Sequence, residues 1–390
     1  MAHEGRDEQI MSRKELDDLE SVGSRQGLEP GIGLCLSGGG YRAMLFHLGA
    51  LWRLNDLSYL PRLDRISSVS GGSIVAGILG LAWKRLDFTQ GGRATNFDQE
   101  VVAPIRAVSS RTIDWPAVAG GLLPASSPGN RLAAAYRRHL FGGATLEELP
   151  DRPRFVFLAT NLQSGVLWRI TKDWMWDYYV GQVVRPQTEL ALAVAASSAF
   201  PPFLSPVVLR FAESDFVPDT GMGLQHPPYT TRVMLTDGGV YDNLGIEVVW
   251  NRYQTVLMSD GSGGSAKPRP HISRNWAFQS KRILDVITPR LPLLQSRQVV
   301  DAFAAGIRNG TYWGTRSNID DYELPDALPC RFERTRQLGE IRTRLRCLSE
   351  ITQKALINWG YAVCDAAMRK HVAGEAEPPD GFPYPDVPLV

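Results

Sequence analysis

The chain has 390 residues, 44% of them hydrophobic and 21% charged, the balance of a folded protein with material for a sizeable core. Its 42 Lys and Arg against 41 Asp and Glu leave a net charge of +1, which supports no nucleic-acid partner and argues against a strongly electrostatic membrane anchor. The four cysteines, Cys35, Cys330, Cys347 and Cys364, show neither CxxC nor Cys/His metal spacing, so they fit a reducing compartment and suggest no metal or cofactor.

Residues 1–29 are a polar, charged lead-in that lacks the apolar segment of a signal peptide. Gly31 to Leu36 reads as a buried strand and Ser37 to Tyr41 as a glycine turn. Arg42 to Asn55 reads as a helix, so the three together open a βαβ unit. Leu63 to Val69 reads as a second strand. Ile74 to Trp83 is apolar all round, as a buried helix is. That run is too short to span a bilayer and ends at Lys84-Arg85. A cytoplasmic protein is therefore expected, one able to touch a membrane peripherally without crossing it. A helical insertion is expected between residues 86 and 150.

Further strands are expected at Arg154 to Ala159, Arg232 to Leu235 and Thr255 to Met258. Strands alternating with helices predict an α/β fold with a mostly parallel central sheet flanked by helices. The prolines and glycines of 205–231 predict a long loop. Trp168, Trp174, Trp176, Tyr178 and Tyr179 are either core packing or a lipid-facing edge. Helices are expected at Gln298 to Arg308 and at Ser349 to Val372, with Ser349 as a cap. The organisation read from this is a lead-in over 1–29, a single α/β domain with helical C-terminal extension over 30–372, and a Pro-rich tail over 373–390, extended or disordered.

Three short strings carry chemistry. Ser70 lies between a strand and a buried helix in Ser68-Val69-Ser70-Gly71-Gly72. A sharp strand-to-helix turn exposes a serine hydroxyl as a nucleophile, and small neighbours permit the turn. The usual G-x-S-x-G is altered here, with Ser68 at the first glycine and Gly72 at the last; the plainer reading is a Ser/Gly cap on the helix. Upstream, Gly38-Gly39-Gly40 precedes Tyr41 and Arg42. Consecutive glycines at a helix start leave backbone N–H groups for an anion, here an oxyanion, while Arg42 adds charge or fixes the loop. The string matches neither a phosphate-binding P-loop nor a dinucleotide fingerprint, and a mere tight turn is the alternative. The third string is Asp237-Gly238-Gly239, a carboxylate at a strand end that can serve the serine as base.

Rival assignments exist. Asp260-Gly261 also follows a strand, but leads into a glycine-rich loop of flexible character. Of the six histidines, only His271 and His371 follow Asp237 in the order Ser, Asp, His, which leaves a triad with His271 open; His47 reads as a packed histidine. Asp320-Asp321 lacks the spacing of a calcium loop.

On Gly38-Gly39-Gly40-Tyr41-Arg42, Ser70 with Gly72, and Asp237-Gly238-Gly239, the chain resembles the patatin-like phospholipases over residues 30 to 250. Two softer similarities are Ala196 to Phe203 and Phe157 to Asn161 with Gly165. The resemblance implies a three-layer α/β/α fold and a lipid acyl hydrolase acting on phospholipid or other acyl-ester lipids. It implies a Ser70–Asp237 dyad, an oxyanion hole from Gly38, Gly39, Gly40 and Arg42, an elbow at Ser68 and Gly72, and an aspartate turn at Gly238 and Gly239. No cofactor is implied. Ser68 departs from the family's elbow, so a catalytically impaired lipid- or partner-binding protein is the alternative, beside an esterase with a His271 triad.

Overall fold

The computed structural model describes residues 27–113, 127–264, 268–288 and 290–390; most of the 1–29 lead-in lies outside them. β1 (Glu29–Leu36) leads into α1 (Gly40–Asp56), and β2 (Arg65–Ser68) into α2 (Gly71–Ala82). The region expected to be a helical insertion holds α3 (Ala103–Ser109), preceded by a single turn at Asp98–Val102, and α4 (Pro128–Tyr136), followed by one at Arg137–Phe141; residues 114–126 of it lie outside the described residues. β3 (Arg154–Asn161) is followed by β4 (Leu167–Ile170), β5 (Trp174–Asp177) and β6 (Gly181–Val184). Next come α5 (Leu190–Ser198), β7 (Val207–Arg210), β8 (Arg232–Asp237), α6 (Glu247–Trp250) and β9 (Tyr253–Asp260). The chain ends with α7 (Trp276–Ile287), α8 (Arg290–Ala304), β10 (Asn309–Gly314), α9 (Phe332–Gly339) and α10 (Glu350–His371).

One sheet runs in the order β10-β9-β1-β2-β3-β4-β5-β6. Its heart, from β10 to β3, is parallel throughout. From β3 onward the pairing turns antiparallel, and β8 pairs with both β3 and β7 in the same sense. Side chains alternate across each strand, which splits the core in two. Leu34 and Leu36 of β1 join α1, α2 and α10 on one face, while Cys35 joins α6 and Val299 of α8 on the other. Three layers, helix, sheet and helix, result.

The aromatic run of 168–179 divides: Trp168, Trp174 and Trp176 are buried in the β4–β6 meander, whereas Tyr178 is half-buried and Tyr179 exposed at its β5–β6 turn. The long loop expected at 205–231 contains β7, laid antiparallel on β8. After residue 373 the chain is extended and packed. Its Leu389 carbonyl accepts the Arg331 N–H at 2.8 Å, and the Asn358 side chain donates to the Tyr384 and Val387 carbonyls at 2.8 and 3.0 Å.

The long C-terminal helix α10 crosses α1. Ser349 caps it by accepting the Thr352 N–H at 3.3 Å. Inside the crossing, Arg53 of α1 donates to Asp365 of α10 at 2.8 Å, both side chains being buried. The helices touch backbone to backbone: a methyl on Gly360 would sit 1.9 Å from the Phe46 carbonyl oxygen. Gly360→Ala must push α10 off α1, at an expected cost of about 1–3 kcal/mol or more. Urea unfolding of the variant checks this; an unchanged midpoint would contradict the packing.

Candidate active site

The register of β3 brings the serine and aspartate strings together. Residues 154–157 of β3 pair with β2, and residues 159–161 pair with β8. Phe157, Ala159 and Thr160 also pair with β4, so β2 and β8 share the opposite edge, one after the other. β2 runs parallel to β3 and β8 antiparallel, so their C-terminal ends meet head on beside Leu158. Gly238 marks the meeting point. A methyl there would lie 2.2 Å from the Leu158 carbonyl oxygen and 3.3 Å from Val69. The sheet is mostly parallel as expected, and β8 is one of its antiparallel members; that direction aims Asp237 at the end of β2.

Ser70 occupies the turn between β2 and α2 with φ 53° and ψ −115°. A side chain in the left-handed region is strained by about 1–3 kcal/mol, and the turn is held by its neighbours. The Ser70 N–H donates to Ser197 Oγ at 3.1 Å, Ser197 and Ser73 hydroxyls lie 2.8 Å apart, and Ser73 donates to Ser68 Oγ at 3.0 Å. Ser68 donates onward to the Val156 carbonyl at 3.2 Å. The residue that departs from the elbow pattern is therefore a link in a buried hydroxyl chain. Gly72 is fitted close: a methyl on it would meet the Leu36 carbonyl oxygen at 2.3 Å.

The triple glycine lies against the same turn, since a methyl on Gly71 would be 2.2 Å from the Gly40 carbonyl oxygen. Gly39 has φ 152° and Gly40 φ 60°. The three amides differ in availability. The Gly38 N–H donates to the Asn243 carbonyl at 3.0 Å, whereas those of Gly39 and Gly40 have no partner among the described residues. Arg42 is buried and serves as a strut. Its guanidinium donates to the Gly261 carbonyl at 3.1 Å, to the Thr343 hydroxyl at 3.1 Å and to the Ile341 carbonyl. Burial pushes its pKa down to about 10.

Asp237 is buried at the start of the glycine turn. Its backbone N–H donates to the Ala199 carbonyl at 3.1 Å, and its Oδ1 accepts the Gly239 N–H at 2.8 Å. Desolvation pushes its carboxyl up to about 6, against the opposing pull of the Gly239 N–H and the Ser70 hydroxyl. Asp237 Oδ2 has no hydrogen-bond partner among the described residues. Catalytic hydrogen bonds that are long or absent in a free enzyme form on substrate binding in many enzymes.

The rivals have other roles. Asp260 is buried, accepts the Tyr312 hydroxyl at 2.8 Å and the Ser262 N–H at 2.8 Å, and so pins the loop expected to be flexible. His47 is packed between Ser259 Oγ at 2.8 Å and the Ser37 carbonyl at 2.9 Å, and burial lowers its pKa to about 4. His271 is exposed in the segment before α7. Asn243 escaped the sequence reading. Methyls on Gly38 and Gly239 would each fall 2.4 Å from its Oδ1, so it wedges the glycine loop against the aspartate turn. Its only signal is its place in the Val-Tyr-Asp-Asn-Leu-Gly run after Gly239. No group of three or more potential metal ligands is found among the described residues.

The sequence model of the family described as patatin-like phospholipase matches residues 34–250. No curated protein sequence matches the chain. Human GIVD cytosolic phospholipase A2 in complex with methyl gamma-linolenyl fluorophosphonate is similar at TM-score 0.50 and 13% identity, covering 93% of this chain and 63% of that one. A second structure of the human protein gives 0.47 and 12%, with 91% and 63% covered. VipD from Legionella pneumophila gives 0.37 and 14%, with 88% and 67% covered. The chain therefore spans about 63% of the length of these two human structures, and what the first likeness shows is the fold.

The buried carboxyl has a consequence for stability. An aspartate ordinarily titrates near 3.8, and Asp237 in the fold near 6, so its ionisation withdraws stability as pH rises across that window. Asp237→Asn is expected to exceed the wild type in stability by on the order of 2–3 kcal/mol near pH 8, with most of the gain gone near pH 4. Urea midpoints at the two pH values check the sign; an equal difference at both would be incompatible with a desolvated carboxyl.

Proposed function

The chain belongs to the patatin-like phospholipase family, and from that premise we propose that it is a lipid acyl hydrolase cleaving fatty acyl esters through Ser70 and Asp237. The observation that carries the reading is the meeting of β2 and β8 on one edge of β3, which sets a strained serine turn against a desolvated carboxylate. In the proposed reaction Asp237 takes the Ser70 proton as Oγ attacks the ester carbonyl. The N–H groups of Gly39 and Gly40, at the positive end of α1, hold the resulting oxyanion; donors of this kind contribute roughly 2.7–4 kcal/mol each. Collapse of the tetrahedral intermediate leaves an acyl-Ser70 and expels the alcohol, which takes the proton from Asp237. A water that gives its proton to Asp237 then attacks the acyl-enzyme, and collapse of the second tetrahedral intermediate breaks the ester bond to Ser70, returns that proton from Asp237 to Oγ and releases the fatty acid. Gly38 and Arg42 hold the loop, through Asn243 and the 261–343 contacts respectively.

Ser68 does not argue for a dead elbow, because its hydroxyl is absorbed by Ser73 and Val156 while Ser70 keeps its left-handed turn. Ser70→Ala and Asp237→Asn are each expected to lower hydrolysis of a p-nitrophenyl acyl ester by about a thousandfold or more. The wild type should lose kcat/KM on the acid side with an apparent pKa near 6, where Asp237 protonates. A fluorophosphonate should label Ser70. Full turnover in either variant, or a loss of activity in His271→Ala equal to theirs, would reject the dyad.

Peripheral contact with a lipid surface belongs to the same proposal. No described helix is long and apolar enough to cross a membrane. Helix α7, however, turns its apolar stripe outward: Trp276 is 78% exposed, Ile283 56% and Ile287 50%, while Asp285 on the inner side pairs with Arg269 at 3.5 Å. An ordinary surface helix has the opposite orientation. Residues 267–297 hold seven Lys and Arg against Asp285 alone, in a chain of net charge +1. Apolar residues among cations fit an anionic bilayer surface. Trp276→Ser with Ile283→Ser in the Ser70→Ala chain is expected to lose about tenfold in cosedimentation with phosphatidylserine-containing vesicles; unchanged binding would remove α7 from the contact.

A further inference from the structure

Residues 340–349 lie outside the span that the family model matches and carry Arg342, Arg344 and Arg346 at alternate positions. The segment is tethered along its length. The Arg344 carbonyl accepts the Tyr41 N–H at 3.0 Å, and the Ile341 carbonyl accepts Arg42. The Leu345 carbonyl accepts the Ile113 N–H at 2.8 Å, and the Leu348 N–H donates to the Ser109 carbonyl at 3.0 Å. Leu345 is buried by this docking, whereas the three arginines are exposed. With Tyr41 and Arg42 they line a cavity of about 280 Å³.

The cavity borders the glycine loop. A methyl on Gly40 would lie 2.7 Å from the Arg344 carbonyl oxygen, and one on Gly71 2.2 Å from the Gly40 carbonyl oxygen. Arginine segment, glycine loop and serine turn are thus in successive contact. Arg342 and Arg346 form no ion pair among the described residues, and the nearby Glu350 is engaged by Arg106 and Lys354. Three arginines lining one cavity suit a phosphate, whose oxygens accept two parallel N–H donors from a planar guanidinium fork.

We propose that this cavity binds the phosphate of a phospholipid headgroup, so that the C-terminal segment selects phospholipids over neutral acyl esters. The inference rests on the reading of Ser70 and Asp237 as the esterase site. Arg342, Arg344 and Arg346 are then specificity residues, which place a diester phosphate beside the loop while an acyl carbonyl reaches Ser70. Free inorganic phosphate has the same anionic chemistry and is the competing source.

The test compares the full chain with its Arg342→Gln/Arg344→Gln/Arg346→Gln variant on dihexanoylphosphatidylcholine and on p-nitrophenyl butyrate. The ratio of kcat/KM, phospholipid over neutral ester, is expected to fall about tenfold or more, chiefly through KM, one charge-assisted contact to phosphate contributing about a factor of ten. Replacement of the same three residues by Lys should restore part of the ratio. A purely structural segment would lower both activities together and leave the ratio unchanged, which would overturn the proposal. Calorimetric titration of glycerophosphocholine into the Ser70→Ala chain, with and without the arginine changes, probes the cavity without turnover. It stands even if wild-type hydrolysis, and with it the dyad, should fail. Binding of inorganic phosphate in place of glycerophosphocholine, or no binding of either, would also overturn the headgroup assignment.

Discussion

Two strands competing for one edge of β3 are the constraint on which the site depends. β2 claims the edge up to Phe157 and β8 claims it from Ala159 onward, from the opposite direction. The chain ends that leave this junction have only Leu158 between them, so both must turn away sharply. On one side the turn is Ser70, forced to φ 53°; on the other it is Asp237, followed by a glycine with no space for a Cβ. Had β8 run parallel to β3, its C-terminal end would have pointed away from β2. The antiparallel pairing is thus what makes two strings about 170 residues apart into neighbours.

Such a junction is costly, and the surroundings show how it is held. The left-handed serine is fixed by hydroxyls rather than by glycine: Ser197 receives its N–H, and Ser73 and Ser68 pass the chain of hydrogen bonds to Val156. A run of small residues at the end of α5 lets that helix approach closely enough for Ser197 and the Ala199 carbonyl to serve the two turns at once. On the far side Asp260 holds the Gly261 loop, through which Arg42 braces the triple glycine. Strain at functional positions persists only when the structure around it is over-determined, and each of these turns has at least two anchors.

What the sequence made legible divides along physical lines. β1 and α2 were readable because a buried parallel strand is a largely apolar run and a buried helix is apolar all round, each punctuated by glycine; α1 showed by the spacing of its apolar residues, and β2, with Ile66 its one apolar residue, by the turn that follows it. The serine and aspartate were readable as strings. The direction of β8 was not, because it is set by a partner edge more than 70 residues away and leaves no local mark. The meander of β4 to β6 was seen only as aromatic composition, its strands being four residues each. The triple glycine showed a source of free amides but not which residue would occupy one of them; tertiary contact commits the Gly38 N–H to the Asn243 carbonyl. For Arg42 the sequence left charge or bracing open; its carbonyl partners in 261 and 341 decide for bracing.

A base other than histidine is chemically adequate here for a reason the environment supplies. A carboxylate at its ordinary pKa is too weak to draw a proton from a serine, and a histidine near 6.5 is the usual remedy. Burial does for Asp237 what the choice of imidazole does elsewhere: removing water disfavours the charged form and lifts its pKa to about 6, within reach of neutral pH. The same burial works against His47, the histidine nearest the loop, by driving it to about 4 and committing both its nitrogens to Ser259 and Ser37. Desolvation strengthens a carboxylate as a base and weakens an imidazole. A water-poor junction of strand ends therefore favours aspartate for the proposed role, and the same geometry that crowds the two turns together also raises the pKa of the carboxyl proposed to act between them.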